Sequence, residues 1–311
     1  MVNAAPAREA GTLRDVIKAI RPYQWVKNLL LFVPILMSHK LDDAARVSSV
    51  VMAFAAFCLC ASASYVLNDL WDREHDRHHP VKRNRPFASG RLSVGAGVAM
   101  ILALFAGGLV PSLLLLPRQF TAMLLLYVVI TTLYSLWLKR KLLLDVFFLA
   151  GLYTHRVLAG GEAADVEVSK WLLAFSIFFF LSLAFVKRYA ELLRLQDEKA
   201  GAQIRGRAYR VEDLEIMSAV GPASGYLSVL VLALYVNQSP EAQALYKSPS
   251  VLWLLCPMML YWITRVWFLA RRRILAEDPI LFALKDRVSL LTAGVVLLLL
   301  FLASFGIPGV N

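Results

Sequence analysis

The chain is poor in charge and in cysteine. Asp, Glu, Lys and Arg make up only 18% of its 311 residues, against 59% hydrophobic. Soluble domains carry about a quarter charged and about half apolar residues, so this balance excludes an ordinary soluble globule and a disordered chain. The three cysteines, Cys58, Cys60 and Cys256, all lie in apolar runs. They read as small buried hydrophobes and supply neither a disulfide framework nor zinc spacing. There is no Walker loop, no GxGxxG and no nucleophile elbow, so the common phosphate-cradling and acyl-transfer loops are excluded. No short apolar region ends at a small-residue site, so no cleavable signal is expected. Acids are the scarcer sign, 22 against 33 Lys and Arg, which makes any cluster of them worth locating.

What the chain has instead is apolar length. Nine runs of roughly bilayer-spanning length lie near residues 23–38, 47–67, 93–116, 120–138, 142–160, 170–187, 216–236, 250–269 and 288–307. They predict an all-α polytopic membrane protein, a bundle of nine transmembrane helices. Residues 1–12 read as a loose tail and 13–311 as one transmembrane domain. The first run is short, so its polar N-terminal half is expected in the interface. When the connecting segments are numbered alternately, 27 of the Lys and Arg fall on one side and five on the other, with Arg156 inside a run. The positive-inside rule then places the N-terminus and the heavy side in the cytoplasm and the C-terminus outside. In a bacterium this is the inner (plasma) membrane. The net charge of +11 is a property of that face; it suits anionic membrane lipid and phosphorylated substrates, and no nucleic-acid partner is expected.

The acids concentrate after the second run, in NDLWDREHDRHHPVKRNRPFASG, residues 68–90. Asp69, Asp72 and Asp76 stand at i, i+3 and i+7. At about 100° per residue they share a narrow stripe of a helix, with Tyr65 one turn before them and Asn68 at its edge. Arg77, Lys82, Arg83, Arg85 and Arg91 follow. Hard carboxylate oxygens beside cationic forks suit Mg²⁺ and a diphosphate. A carboxylate stripe at a cytoplasmic mouth, in a cavity also open laterally to lipid, would let a water-soluble diphosphate meet a membrane-soluble substrate. The neighbouring His75, His78 and His79 read as solvated loop.

Ionisable groups inside spans are functional candidates by default. In the fifth run Asp145 and Arg156 are eleven residues apart and face the same side three turns apart. Arg156 is read as a cavity-facing phosphate ligand, against a plain structural pair with a neighbouring helix; His155 is read as structural. The sixth run ends in FVKRYAELLRLQDE, where Lys187 and Glu191 at i, i+4 form an ordinary helix pair in the simplest reading. In RPYQWVKNLL, Trp25 is an interfacial anchor and Lys27 either an anchor or a phosphate contact. Asp278 and Asp286 carry no assigned role.

The Asn68–Asp69–x–x–Asp72–x–x–x–Asp76 pattern resembles the first aspartate-rich motif of the UbiA-type intramembrane prenyltransferases, whose helix count is also nine. RPYQWVKN (Arg21 to Asn28), residues 68–90, YSLWLK (Tyr134 to Lys139), Leu144–Asp145 with RVLAGG (through Gly161) and KRYAEL (Lys187 to Leu192) are similar to the polyprenyl-phosphate phosphoribosyltransferases of that superfamily. The resemblance implies Mg²⁺, the substrates 5-phosphoribosyl diphosphate (PRPP) and a decaprenyl-type polyprenyl phosphate, and a role in arabinose precursor synthesis for the cell envelope. It implies Asp69, Asp72 and Asp76 as metal ligands, and Lys27, Tyr65, Asn68, Lys82, Arg83, Arg85, Lys139, Arg156, Lys187, Arg188 and Tyr189 around the substrates. Aromatic prenyltransferases of the superfamily carry a second acidic cluster around a Tyr-Ala pair. Here Tyr189–Ala190 is flanked by Val186, Lys187, Arg188, Leu193 and Arg194, which implies a basic phosphate pocket in its place. The competing expectation is a prenyltransferase moving a polyprenyl group from its diphosphate to an aromatic or other acceptor. A transporter should show inverted repeats, and none is visible. A homo-oligomer is compatible with every feature read so far.

Overall fold

The computed structural model describes residues 11–78, 82–197, 208–275 and 278–306; His79 and most of the N-terminal tail lie outside them. Among the described residues there are helices and no strands. In chain order they are α1 (Leu13–Ile20), a 3₁₀ stretch (Pro22–Phe32), α2 (Val33–Met37), α3 (Ala44–Trp71), α4 (Arg73–Arg77), α5 (Val94–Leu115), α6 (Arg118–Leu136), α7 (Leu144–Ala164), α8 (Lys170–Asp197), α9 (Leu214–Gln238), α10 (Pro240–Leu245), α11 (Leu255–Arg271), α12 (Pro279–Lys285) and α13 (Arg287–Phe305).

Seven helical segments among them are long and apolar enough to cross a bilayer: Ala44–Trp71, Val94–Leu115, Arg118–Leu136, Lys170–Arg194, Val211–Gln238, Pro249–Arg271 and Arg287–Phe305. The protein is a multi-pass membrane protein. Seven of the nine predicted runs coincide with these segments. The other two also coil, but differently. The run at 142–160 is α7, whose apolar face is interrupted by His155 and Arg156. The run at 23–38 is mostly 3₁₀, and two residues of its polar half are buried: Lys27 is 8% and Asn28 1% exposed. Asn28 Nδ2 donates to Cys58 Sγ at 3.2 Å and Trp25 Nε1 to Ser62 Oγ at 3.0 Å. Trp25 and Asn28 are therefore bonded to α3.

The chain divides into two compact units. The first comprises residues up to 35, 41–135 and 159–166. Its centre is α3, started by Asp43, whose carboxylate accepts from the amides of Ala45 and Arg46 at 3.0 and 3.1 Å. Helix α5 approaches α3 closely at Gly108, where a β-carbon would stand 2.9 Å from the Ala56 carbonyl and 2.7 Å from Cys60 Sγ. Close backbone approach at small residues is the usual means of packing helices in lipid. A small core of Ala19, Val66, Phe87 and Leu92 ties α1 and the 82–93 loop to the end of α3.

The second unit comprises residues 36–40, 136–158 and 167 onward. Here α8, α9 and α11 pack together, with Gly221 against the Trp267 ring, where any β-carbon would lie 2.0 Å from a ring atom. Trp267 Nε1 donates to Ser182 Oγ at 3.0 Å. A second cluster joins Val236, Tyr246, Leu252, Leu255 and Leu299 near the other end of α9.

Candidate active site

The acidic motif sits where α3 ends. The helix breaks at Asp72, which caps both α3 and the short α4, so the expected single stripe is shared between two helices. The turn stays nearly helical: the Asp72 amide donates to the Asn68 carbonyl at 2.9 Å and the Asp76 amide to the Asp72 carbonyl at 2.8 Å. Asp69 and Asp76 are buried, 2% and 4% exposed, whereas Tyr65, Asn68 and Asp72 are half-buried.

Two arginines neutralise the buried pair. Arg85 Nη1 bridges it, donating to Asp69 at 3.0 Å and to Asp76 at 2.7 Å. Arg21 Nη2 donates to both oxygens of Asp69, at 2.6 and 2.8 Å, and its guanidinium lies over the Tyr65 ring, 5.4 Å from the centroid. The acids are hidden and the bases are not: the side chains of Arg21 and Arg85 are 19% and 25% exposed. A buried carboxylate left without a partner is strongly destabilising, which is why the acids need these cations.

Local folding delivers both arginines. Helix α1 ends at Arg21, which adopts a left-handed conformation, φ 53°, immediately before Pro22. Such a conformation is costly for a non-glycine residue, of order 1 kcal/mol, and persists where the surroundings enforce it. Helix α1 is held at its other end. The Thr12 hydroxyl donates to Asp15 at 2.9 Å and Arg91 Nε donates to it at 2.8 Å. The Thr12 hydroxyl, against the effect of burial and with help from the Thr12 amide and Arg91, holds the Asp15 carboxyl below the usual range. Arg91 also donates to the Asn84 carbonyl at 2.6 Å, and Arg77 to the Ala88 carbonyl at 3.2 Å. With Phe87 1% exposed as its anchor, the loop turns Arg85 toward the acids. Lys82 and Arg83 on the same loop are exposed.

Of the residues singled out from sequence in this unit, Asp69, Asp76 and Arg85 converge on one another, and Tyr65 lies beneath the guanidinium of Arg21. Arg21 was not among them. The signal was its place at the head of RPYQWVKN, but nothing in that segment names a carboxylate 48 residues away. No group of three Asp, Glu, His or Cys side chains gathers as a ready metal cage among the described residues. Two adjacent carboxylates still fit Mg²⁺, which usually takes one or two from the protein and fills the rest of its octahedron with phosphate oxygens and water.

In the second unit Lys187 and Arg188 of α8 are paired. Arg188 is fully buried; it donates from Nε and from Nη2 (3.1 Å) to Asp145, itself 0% exposed, and from Nη1 to Glu191 at 2.7 Å. Lys187 pairs with Asp278 at 3.1 Å, not with Glu191, and the Tyr153 hydroxyl reaches the same Asp278 oxygen at 3.4 Å. Asp278 also starts α12 by accepting from the Ile280 amide at 3.2 Å. Arg156 is 5% exposed, donates to the Leu152 carbonyl at 2.6 Å and sits over the Tyr153 ring. Asp145 pairs with Arg188 of the neighbouring helix. Tyr189 is buried against Trp267, ring centroids 5.6 Å apart, and Lys139 is half-buried in a single 3₁₀ turn. Val186 and Leu193, where second-motif acids would stand, are 0% and 7% exposed core residues. Acids do reach this segment, but from α7, from α8 itself and from the start of α12. Tyr209 donates nothing to them; its oxygen accepts from the Leu143 amide at 3.2 Å, and burial first, then the Asp145 charge, push its hydroxyl up to about 12.

The sequence pattern of the UbiA prenyltransferase family matches residues 30–285. Nodulation protein NoeC of Azorhizobium caulinodans is 40% identical over 289 residues, 92% of each chain. Uncharacterized protein y4nM of Sinorhizobium fredii is 36% identical over 288 residues; the match covers 93% of this chain and spans about half, 55%, of that longer protein. Decaprenyl-phosphate phosphoribosyltransferase of Corynebacterium glutamicum is 38% identical over 193 residues, 61% of this chain and 58% of that one. Among solved structures, a UbiA homolog from Archaeoglobus fulgidus bound to GPP and Mg²⁺ superposes with a TM-score of 0.69 over 94% of this chain and 100% of that one. At 17% identity that likeness speaks for the fold.

Proposed function

The chain belongs to the UbiA prenyltransferase family, and from that premise we propose that it transfers the 5-phosphoribosyl group of PRPP to a polyprenyl phosphate, releasing pyrophosphate. The observation that carries the reading is the buried Asp69–Asp76 pair with its cationic partners, in a chain 38% identical over 193 residues to the decaprenyl-phosphate phosphoribosyltransferase of Corynebacterium glutamicum. Residues 13–311 act as one domain of nine spanning helices in the bacterial inner membrane. The N-terminus and the acidic motif face the cytoplasm and the C-terminus lies outside, in keeping with the 27-to-five distribution of Lys and Arg. The product would serve arabinose precursor synthesis for the cell envelope.

Asp69 and Asp76, with Asp72 beside them at the helix junction, would hold Mg²⁺. When bound, the ion supplies Lewis-acid stabilisation to a leaving pyrophosphate. Arg85 and the exposed Lys82 and Arg83 present guanidinium and ammonium groups to phosphate oxygens, with Lys27, Tyr65 and Asn68 alongside. Positive charge placed where negative charge grows lowers the barrier to breaking the C1–O bond of the ribose. The acceptor, a lipid phosphate oxygen, is already anionic and attacks C1 without a dedicated base. This agrees with His75 and His78 lying exposed on α4 and just after it. In the second unit Lys187, 24% exposed at its side chain, would turn toward a phosphate. Lys139, Arg156 and Tyr189 are its proposed companions, while Arg188 would contribute through the rigidity of its pair with Asp145.

The alternative is a prenyl transfer from a polyprenyl diphosphate, favoured by the GPP and Mg²⁺ bound to the A. fulgidus homolog. Against it stand the apolar, buried Val186 and Leu193, which leave α8 without the acids of a second metal clamp. The deciding experiment incubates purified protein with Mg²⁺, labelled PRPP and polyprenyl phosphate, beside a control with a prenyl diphosphate and an aromatic acceptor. A lipid-linked label formed from PRPP supports the proposal; product only in the control arm replaces it.

A further inference from the structure

Two guanidinium groups occupy three of the four carboxylate oxygens of Asp69 and Asp76. Asp69 and Asp76 bring two negative charges into a buried site, and Arg21 and Arg85 bring two positive ones within 2.6–3.0 Å. A bare divalent ion entering this cluster would either leave two surplus positive charges at a poorly solvated spot or have to expel the arginines into solvent. Both are unfavourable, since like charges a few ångströms apart repel strongly away from bulk water. A metal arriving with a diphosphate meets neither obstacle. Asp69 and Asp76 would hold the metal, and the displaced guanidiniums of Arg21 and Arg85 would meet phosphate oxygens, which Arg binds in the same forked geometry as carboxylates. Burial is arranged for such an exchange. The acids are 2% and 5% exposed at their side chains, so they stay in place, while the arginines are 19% and 25% exposed and have somewhere to go. Arg21 also leaves from a left-handed backbone position, φ 53°, beside the face of Tyr65, where a cation keeps a favourable neighbour.

We infer that Arg21 and Arg85 are stand-ins for the metal: they keep the acid pair neutral in the resting protein and pass to the diphosphate when it arrives. Divalent metal is therefore taken up together with its anionic partner and only feebly without it. This rests on the reading of Asp69 and Asp76 as a metal–diphosphate site, and it adds an obligatory coupling between the two ligands. It also makes Arg21 a determinant of metal affinity in the direction opposite to a ligand: removing it should tighten the binding of metal alone.

Equilibrium dialysis of the full chain in detergent with radioactive Mn²⁺, with and without inorganic pyrophosphate, measures this directly and needs no turnover. Wild-type protein should retain Mn²⁺ at least about tenfold more tightly with pyrophosphate than without. Arg21→Gln should bind Mn²⁺ alone about tenfold more tightly than wild type and gain less from pyrophosphate; Arg21→Lys, which keeps the charge, should behave like wild type. Arg85→Gln gives the same test from the second cation should Arg21→Gln fail to fold. The inference is overturned if wild type binds Mn²⁺ equally with and without pyrophosphate, or if the folded Gln variants bind the bare ion no better than wild type. Asp69→Asn separates that failure from failure of the site itself. If Asp69→Asn still takes up Mn²⁺ with pyrophosphate like wild type, the metal–diphosphate site lies elsewhere and the proposal falls with it. If Asp69→Asn loses uptake while both Gln variants bind the bare ion like wild type, the site stands and only the stand-in role is lost.

Discussion

The protein contains two ion clusters built from the same residue types and arranged in opposite ways. In the first unit the carboxylates of Asp69 and Asp76 are buried and their arginines reach toward solvent. In the second, Arg188 and Asp145 are both 0% exposed, and Glu191 closes the remaining side of the guanidinium. On the stand-in reading the first arrangement can change partners, because the cation that leaves an acid is captured by a phosphate. The second cannot, because an arginine leaving Asp145 would strand a charge on each side in the protein interior. Composition alone does not tell a site from a brace; the exposure of the base does.

The comparison is broken most severely by removing Asp69. Asp69→Ala should lower turnover by about a thousandfold or more, the scale of losing a principal electrostatic contact in the transition state. The fold should be retained, because Arg21 and Arg85 are exposed enough to be hydrated. Turnover of labelled PRPP beside a thermal unfolding curve measures both halves; near-normal activity at saturating Mg²⁺ would remove Asp69 from the chemistry. Arg188→Ala should do the reverse. Removing the cation from a buried ion pair costs about 3–5 kcal/mol, so the variant should lose stability and expression yield. Asp145→Asn with Arg188→Met together should recover much of the loss, as neutral replacement of a buried pair often does. Denaturant titration in micelles reads this, and a stable, inactive Arg188→Ala would show that Arg188 acts on substrate.

Lys187 stands between the two cases, with 24% side-chain exposure against 6% for its partner Asp278. Lys187→Ala should weaken the use of polyprenyl phosphate by about tenfold, the worth of one charge-assisted contact, with the Mg²⁺ dependence of the reaction little changed. Should the variant instead lose stability with unaltered kinetics, Lys187 belongs with the brace.

What could be read in the sequence follows from periodicity, and what could not follows from its limits. A helical repeat places Asp69 and Asp76 on one side and marks the apolar runs that became α3, α5, α6, α8, α9, α11 and α13. It says nothing about partners across elements. Arg21 meets Asp69 over 48 residues, Arg188 meets Asp145 over 43, and Lys187 meets Asp278 over 91. Within-helix spacing pointed instead to Lys187–Glu191, which is geometrically possible but loses to a cross-helix pair. The basic character of KRYAEL was legible; its neutralisation by acids arriving from α7 and from the start of α12 was not. The break at Asp72 was also hidden, because the turn keeps nearly helical hydrogen bonds through it.

The smallest expected effect sharpens the contrast through a third pair. Asp286 starts α13 by accepting from the Ser289 amide and hydroxyl at 2.8 and 2.7 Å, and Arg265 reaches its two oxygens at 2.6 and 3.0 Å. The Arg265 hydrogen bonds first, then Ser289, overcome the cost of burial and hold the Asp286 carboxyl at about 2, below its ordinary value of 3.8. A carboxylate whose folded value is depressed stabilises the fold fully above its unfolded value and loses that contribution as pH falls through the folded one. The pair should therefore support α13 at neutral pH and fail between roughly pH 4 and 2. Both side chains are more exposed here than at Arg188–Asp145, 20% and 15%, so neutralising the acid should cost little next to Arg188→Ala. Asp286→Asn should lower the unfolding temperature slightly at pH 7 and flatten its dependence on pH below 4. An unchanged acid limb in the Asn variant would mean that other carboxylates govern acid unfolding and that the Arg265–Asp286 contact is carried by the helix cap rather than by charge.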